Sequence, residues 1–181
     1  MARGAVFLDR DGTLVEDPPP GYLSDPDRVV LLPGVAEGLA ALSRAGWPLV
    51  VVSNQSGIAR GRFGPEATEA VMRRIASLLA PYGVRFLASY YCPHLPEISG
   101  PCSCRKPGTE LFERAARDHD LDLARSWFIG DRPSDVEPAL RLGGRGLLLP
   151  GEDSAADTSA TGFGAARDLV AAAMLIGPPG E

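Results

Sequence analysis

Short apolar runs alternate along the chain with longer stretches that mix apolar and polar residues. The runs predict five β-strands, at Ala5–Leu8, Leu49–Val52, Phe86–Tyr91, Trp127–Ile129 and Gly146–Leu149. Apolar runs without polar alternation are typical of parallel strands, because helices cover both faces of a parallel sheet and neither face meets water. The pattern therefore predicts a sheet that lies inside the protein.

Segments long enough for helices separate these runs. They are predicted to begin at Pro33-Gly34, Pro65, Thr109, Ser134 and Ala165, and to end near Ala45, Ala80, His119, Leu142 and Ile176. Gly46 follows the first and Pro65 opens the second, which are ordinary stop and start signals of helices. Strands that alternate with helices form βαβ units with right-handed crossovers. The sequence thus predicts an α/β fold, Rossmann-like and doubly wound, with a mostly parallel sheet.

The length of 181 residues suffices for one well-buried core, so a single domain is expected over residues 1–181. The segment between the first two predicted strands is too short for a large cap domain. A Pro-, Gly- and Cys-rich insert covers about 92–104. Small polar residues at about 151–162 predict a mobile loop, and the tail 177–181 is expected to fray.

Composition narrows the class of protein. Hydrophobic residues make up 45% of the chain and charged residues 23%, which is ordinary for a soluble globular protein. No apolar run approaches the roughly 18 residues of a membrane span. Met1–Gly4 leads into the first strand without a signal-peptide pattern, so a cytoplasmic protein is expected. The net charge of −5 counts against a nucleic-acid partner, and a monomer is expected because no interface stripe is visible.

Polar side chains follow three of the predicted strands at the point where each strand ends. They are Asp9 and Asp11 after the first, Ser53 and Asn54 after the second, and Asp131 and Asp135 after the fourth. These ends face one crevice in a doubly wound sheet. Several carboxylates in one crevice repel unless a cation neutralises them, and Mg²⁺ prefers oxygen ligands. We therefore expect a magnesium site with Asp9 and Asp131 as carboxylate ligands.

The same carboxylates could carry covalent chemistry. A carboxylate can attack phosphorus and form an aspartyl-phosphate, while a second carboxylate acts as general acid and then as base. Lys106 is the single lysine among 18 positively charged residues. A compact ammonium suits a tight phosphate site better than a guanidinium does. Chance survival of one lysine in an arginine-rich chain is the alternative.

All three cysteines lie in the insert. Together with a histidine they form a Cys₃His set, consisting of Cys92, His94, Cys102 and Cys104. Such a set suits structural zinc with closed tetrahedral coordination, and unpaired thiols with an incidental histidine are the alternative. Zinc would fold an insert that is too polar to hold itself. It would also fix the backbone that presents Arg105 and Lys106.

Four motifs in this order resemble those of the haloacid-dehalogenase (HAD) superfamily of phosphatases. They are Asp-x-Asp-Gly-Thr at Asp9–Thr13, Ser53, Lys106, and Gly-Asp-x-x-x-Asp at Gly130–Asp135. The resemblance implies that Asp9 is the nucleophile and that Asp11 is the acid/base, whose backbone carbonyl also binds Mg²⁺. It further implies that Ser53 and Lys106 hold the phosphoryl group, that Asp131 binds the metal and that Asp135 supports the site.

Longer segments resemble one branch of the superfamily, the D-glycero-D-manno-heptose 1,7-bisphosphate 7-phosphatases. They are Phe7–Thr13, Gly21-Tyr22, Ser53–Gly61 and Cys104–Pro107. The resemblance implies a small phosphorylated sugar as substrate, with Asn54, Arg60 and Arg105 as further substrate-binding residues. The stretch 95–101 is closer in length to that of histidinol phosphatases, so histidinol phosphate or another phosphomonoester stays open. A non-catalytic zinc-bearing interaction module is the alternative from another class.

Overall fold

The computed structural model describes residues 2–17, 21–149 and 163–180. Its sheet has six strands: β1 (Val6–Leu8), β2 (Leu49–Asn54), β3 (Ala88–Cys92), β4 (Trp127–Gly130), β5 (Arg145–Leu148) and β6 (Gly164–Ala165). The strands lie in the order β3-β2-β1-β4-β5-β6, and every neighbouring pair is parallel. β1 is central, with Phe7 opposite Val50 on one side and Phe128 on the other. The predicted doubly wound parallel sheet is confirmed.

Within the described residues, seven α-helices connect or flank the strands. They are α1 (Val35–Arg44), α2 (Pro65–Leu79), α3 (Pro96–Ser99), α4 (Glu110–His119), α5 (Pro133–Val136), α6 (Pro138–Leu142) and α7 (Leu169–Ile176). Short 3₁₀ turns lie at Pro26–Arg28, Ala80–Tyr82 and Leu123–Arg125. None of the helices in the described part of the chain is long and apolar enough to cross a membrane.

The sheet separates two apolar layers. Val6 and Leu8 of β1 pack in the layer that holds α1, α2 and α7. Phe7 points to the opposite layer, which holds α4 and α6. There its ring lies 5.1 Å from that of Phe128 and 5.3 Å from that of Phe112, measured between centroids. Because successive residues of a strand face opposite sides, this double burial explains the unbroken apolar run.

The sequence placed some boundaries wrongly. The single helix predicted over Ser134–Leu142 is two helices, because Pro138 has no amide hydrogen to donate and instead opens α6. The last helix begins at Leu169 rather than Ala165, since the Asp168 side chain accepts a hydrogen bond from the amide of Ala171 at 2.7 Å and caps it there. Ala165 instead pairs with β5 as part of β6.

Two predictions concern the C-terminal part of the chain. The predicted mobile loop at 151–162 lies outside the described residues. Gly177 is the first residue of the tail that is predicted to fray, and its carbonyl accepts a hydrogen bond from the Trp47 indole at 2.8 Å. Fraying of residues 177–181 stays a prediction.

Candidate active site

The turn after β1 brings the first two carboxylates to the edge of the sheet. Gly12 adopts φ +83°, a left-handed conformation that favours glycine. A Cβ atom at this position would lie 2.5 Å from Oδ2 of Asp131, closer than real Cβ contacts allow. Glycine therefore lets the chain turn sharply and lets the β4 carboxylate approach the turn after β1.

A cavity of about 460 Å³ opens at the carboxyl ends of the strands. Six of the residues predicted from the sequence line it, namely Asp9, Asp11, Asn54, Arg105, Lys106 and Asp135. Ser53 is buried just behind it, 3% exposed, and is not among the lining residues. Arg60 is exposed on the turn after β2 and does not line the cavity. Asp131 is not a lining residue either, but its carboxylate lies within 4.8 Å of those of Asp9 and Asp135. The structure thus brings the predicted strand-end carboxylates together and leaves Arg60 outside the cavity.

Lys106 is the centre of the charged cluster. Its Nζ lies 2.6 Å from Oδ1 of Asp9 and 2.8 Å from Oδ1 of Asp135, and it donates to the carbonyl of Val52 at 2.6 Å. Only 4% of the residue is exposed. Burial by itself would lower the pKa of this amine, but the two carboxylates outweigh burial and raise it. Lys106 is therefore held as a buried cation beside Asp9.

Burial has the opposite effect on Asp9. Removal from water raises the pKa of this carboxyl to about 7, and the nearby charge of Asp135 adds to the rise, while Lys106 counteracts it. Burial and Asp135 also raise the pKa of Asp131. Arg132 Nε lies 3.6 Å from Oδ2 of Asp131, but its side chain is exposed. The cluster thus holds three carboxylates against one buried lysine and one exposed arginine, and this excess of negative charge favours a bound cation.

Three carboxylates could hold that cation. Oxygen atoms of Asp9, Asp131 and Asp135 all lie within 4.8 Å of one another. Thr13 Oγ1 donates to Oδ1 of Asp131 at 3.2 Å and orients it. Asp135 already uses both oxygens, one for Lys106 and the other for the backbone amide of Arg132 at 3.0 Å. An oxygen set of this kind fits Mg²⁺, and Asp9 and Asp131 are its candidate carboxylate ligands, because the contacts of Asp131 are longer than those of Asp135.

Asp11 has a different environment. Arg10 and Gln55 both donate to its carboxylate, with Gln55 Nε2 at 2.7 Å from Oδ2. Gln55 Nε2 also lies 2.7 Å from Oγ of Ser53. Neither Arg10 nor Gln55 was identified as a site residue from the sequence. The signal was present, since Arg10 lies inside the Asp-x-Asp motif and Gln55 lies two residues after Ser53.

The insert brings its four predicted zinc ligands together. The ligand atoms of Cys92, His94, Cys102 and Cys104 lie within 4.8 Å of one another. Cys92 Sγ is 3.7 Å from that of Cys102 and 3.8 Å from Nδ1 of His94. Ligands about 2.3 Å from zinc at the corners of a tetrahedron are about 3.8 Å apart. Cys104 lies closer in, 2.9 Å from Cys92. The donor set fits a closed zinc site, as do the distances from Cys92 to Cys102 and to His94, whereas Cys104 lies too close to Cys92 for a tetrahedron and would have to move outward to bind the same ion.

This cluster adjoins the cavity. Cys104 immediately precedes Arg105 and Lys106, and Arg105 Nη1 donates to the carbonyl of His94 at 3.3 Å. Burial raises the pKa of the Cys92 and Cys104 thiols. Without metal these two thiols therefore resist ionisation, whereas zinc binds thiolates and displaces their protons. A zinc ion would tie together the strand, the insert and the segment that carries the lysine.

Comparisons with known proteins agree with this architecture. A family model described as HAD-hydrolase-like matches residues 103–173. The D-glycero-beta-D-manno-heptose-1,7-bisphosphate 7-phosphatase of Haemophilus ducreyi is 40% identical over 154 residues, which cover 82% of this chain and 84% of the relative. The D-glycero-D-manno-heptose-1,7-bisphosphate 7-phosphatase of Thermosynechococcus vestitus is 40% identical over 158 residues, covering 82% of this chain and 80% of that one.

A solved structure shows the same fold. The D,D-heptose 1,7-bisphosphate phosphatase from B. bronchiseptica, crystallised with magnesium and phosphate, matches with a TM-score of 0.84 and 32% identity. The match covers 96% of this chain and 97% of that one. A parallel sheet of this order, with carboxylates and a buried lysine at its strand ends, defines a HAD-like hydrolase. More narrowly, the chain belongs to the family of D-glycero-D-manno-heptose-1,7-bisphosphate 7-phosphatases. The resemblance seen in the motifs is confirmed.

Proposed function

We propose that this protein hydrolyses a phosphomonoester of a small phosphorylated sugar with the help of Mg²⁺. The favoured substrate is D-glycero-D-manno-heptose 1,7-bisphosphate, which would lose its 7-phosphate. The relatives named for this reaction support the substrate, and one arrangement carries the chemistry. The ammonium of Lys106 lies 2.6 Å from Oδ1 of Asp9, in a cavity that Asp11 also lines. A carboxylate oxygen of Asp131 lies within 4.8 Å of one of Asp9.

In the first half of the proposed reaction, Asp9 attacks the phosphorus of the substrate. The bond from phosphorus to the sugar oxygen breaks, and Asp11 gives that oxygen a proton. Lys106 counters the charge on the phosphoryl oxygens from its fixed position. The second half transfers the phosphoryl group from Asp9 to water, with Asp11 taking the proton. When bound, Mg²⁺ supplies further neutralisation of the phosphoryl charge.

The remaining parts of the cavity bear on substrate recognition. Arg105 and Arg132 line it, and a guanidinium can grip a phosphate with two hydrogen bonds. We assign Arg105 to the part of the substrate away from the reacting phosphate. Arg60 is the weaker candidate because it lies outside the cavity. Ser53 would act through its oxygen behind the cavity, where Gln55 already contacts it.

Zinc in the Cys₃His cluster is proposed to be structural. Four protein ligands leave no open position for substrate. The thiols of Cys92, Cys102 and Cys104 are free rather than disulfide-bonded, and zinc requires reduced thiols, which supports a cytoplasmic enzyme. We propose a monomer as the working unit because the sequence shows no interface stripe, and no nucleic-acid partner because the net charge is −5.

A substrate panel tests the proposal. The values of kcat/KM are measured with Mg²⁺ for both anomers of the heptose 1,7-bisphosphate and for histidinol phosphate, on the wild type and on Asp9→Asn. We expect the heptose bisphosphate to be preferred and the variant to be inactive on every substrate. Preference for histidinol phosphate would instead identify the protein as a histidinol-phosphate phosphatase. Activity that survives in Asp9→Asn would place the nucleophile elsewhere, and absence of any activity would favour the non-catalytic zinc module.

A further inference from the structure

Arg10 is a charged residue buried in the interior beside the cavity. Only 1% of it is exposed, although its neighbour Asp11 opens to the cavity. Its Nε lies 3.0 and 3.1 Å from the two carboxylate oxygens of Asp11, and its Nη2 lies 3.0 Å from Oδ2. Nη2 also contacts the carbonyl of Leu23 at 3.2 Å and Oε1 of Gln55 at 3.0 Å. The guanidinium of Arg10 thus contacts the Asp11 carboxylate through two nitrogens, Nε and Nη2.

Gln55 contacts both Arg10 and Asp11. It is 2% exposed, and its amide has one orientation that satisfies its neighbours. Oε1 accepts from Arg10, which has only donors, while Nε2 donates to Oδ2 of Asp11 at 2.7 Å and to Oγ of Ser53. A rotated amide would set its N–H groups against the guanidinium. The arrangement therefore couples Arg10, Gln55 and Asp11 into one network.

Stability alone is a poor explanation for this network. Buried ion pairs are often no more stable than apolar side chains of the same volume, because both charges lose their hydration. Nη1 of Arg10 is buried with no hydrogen-bond partner among the described residues, which adds to that cost. The network instead achieves a fixed direction for the Asp11 carboxylate. The partners described above are N–H donors, and three of the four contacts converge on Oδ2, which leaves Oδ1 as the freer oxygen for a proton.

We propose that Arg10 is a positioning residue, supported by Gln55, that holds Asp11 as the proton acceptor in the second half of the reaction. The inference rests on the proposed function. In that step the oxygen of a water molecule bonds to the phosphorus of phosphorylated Asp9. The bond from phosphorus to Asp9 breaks, and its electron pair returns to the Asp9 carboxylate. The water proton passes to an oxygen of Asp11, leaving inorganic phosphate.

The two halves of the reaction can be separated by the choice of leaving group. When Asp9 attacks p-nitrophenyl phosphate, the leaving group is nitrophenolate, which departs without being protonated. The position of Asp11 therefore has little effect on the rate of the first half with this substrate. Hydrolysis of the phosphorylated enzyme still needs a base. Loss of Arg10 or Gln55 should therefore slow the second half selectively. A merely structural role would not change the ratio of the two rate constants.

The test uses rapid mixing of p-nitrophenyl phosphate and Mg²⁺ with Arg10→Gln and Gln55→Leu, each checked for folding by circular dichroism. We expect nitrophenolate to appear in a burst, followed by a steady rate that is lower than in the wild type by about tenfold or more. Acid quenching should trap more phosphorylated enzyme than in the wild type. If Arg10→Gln does not fold, Gln55→Leu carries the test alone, since it keeps the guanidinium.

Two controls separate the possible failures. Ile75→Ala removes a buried apolar side chain of α2 that takes no part in the hydrogen bonds of this network, and it should lower the melting temperature without changing the ratio of the two rate constants. A wild type that does not turn over, or an active Asp9→Asn, would overturn the proposed function itself. An active wild type with an inactive Asp9→Asn, but with Arg10 and Gln55 variants that slow both halves equally or neither, would overturn only this inference.

Discussion

Asn54 and Lys106 hold each other by two reciprocal hydrogen bonds. The Asn54 side-chain amide donates to the carbonyl of Lys106 at 3.2 Å, and the Lys106 backbone amide donates to Asn54 Oδ1 at 3.0 Å. Asn54 ends β2, whereas Lys106 lies more than fifty residues later in the chain, just after the Cys₃His cluster. The end of the strand thereby fixes the backbone of the segment that delivers the buried ammonium to Asp9.

This relationship predicts that Asn54 acts mainly through Lys106. Asn54→Ala removes both hydrogen bonds, worth about 1 kcal/mol each, and should lower kcat by about tenfold or more with a smaller change in KM. Steady-state kinetics on the heptose bisphosphate measure both constants. Ser56→Ala is the matched control, because Ser56 lines the same cavity without contacting Lys106. A rise in KM alone would instead mark Asn54 as a substrate contact.

Zinc removal should weaken both the fold and the catalysis. The four ligand atoms connect β3 to the segment that carries Arg105 and Lys106, and the binding energy of a structural zinc is folding energy. Treatment with a zinc-selective chelator should lower the melting temperature and reduce phosphatase activity together, and added zinc should restore both. Metal analysis of the untreated protein should find zinc, and Cys102→Ala should reduce its content. Unchanged activity and unchanged melting temperature after chelation would contradict a structural role.

The sequence was most informative where chemistry depends on residue type and on strand ends. Asp9 and Asp135 meet because they follow β1 and β4, parallel strands that end at one edge, as the apolar runs already indicated; Lys106 joins them from the segment before α4. The four candidate zinc ligands meet because they share one short insert. Such local signals are readable without tertiary structure.

The parts that the sequence did not reveal depend on packing between distant elements. Arg10 and Gln55 both stand in or beside a motif, but they lie 45 positions apart, and the sequence does not indicate that they pack together against Asp11. The exclusion of Arg60 from the cavity depends on the direction of the turn after β2. β6 has only two residues, too few for a hydrophobic pattern.

Magnesium affinity should depend on pH because a proton competes for Asp9. Burial raises the pKa of Asp9 to about 7 in the metal-free protein. Below that pH the carboxyl is protonated and must lose its proton when the metal binds, so the apparent Kd for Mg²⁺ should rise by about tenfold per pH unit as the pH falls from 7 to 5.5. Above pH 7 the carboxyl is already ionised, and this dependence should disappear.

Isothermal titration calorimetry in buffers of different ionisation enthalpy measures both the Kd and the protons released. Proton release is expected at pH 6 and should be much smaller at pH 8. Thr68→Val serves as a control, since Thr68 is buried in α2 and does not line the cavity. A Kd that stays constant between pH 5.5 and 7 would show that Asp9 is already ionised in the metal-free protein.

Arg105 and Arg60 offer a matched pair for substrate recognition. Both were predicted to bind substrate, but only Arg105 lines the cavity. Arg105→Ala should raise KM for the bisphosphate by about tenfold to a hundredfold, the usual effect of losing a charge-assisted hydrogen bond, and should raise KM for a monophosphate far less. Arg60→Ala should change neither constant, because the exposed side chain lies outside the cavity.

Arg105 also donates to the carbonyl of His94, one of the candidate zinc ligands, so its loss could disturb the Cys₃His cluster as well as substrate binding. Zinc content and melting temperature of Arg105→Ala should therefore be measured alongside KM. A variant that keeps its zinc but loses affinity only for the bisphosphate would assign Arg105 to the distal phosphate. Equal losses on both substrates would mean that Arg105 acts on the reacting phosphate or through Lys106. A selective effect of Arg60→Ala would require the turn after β2 to close over the cavity when substrate binds.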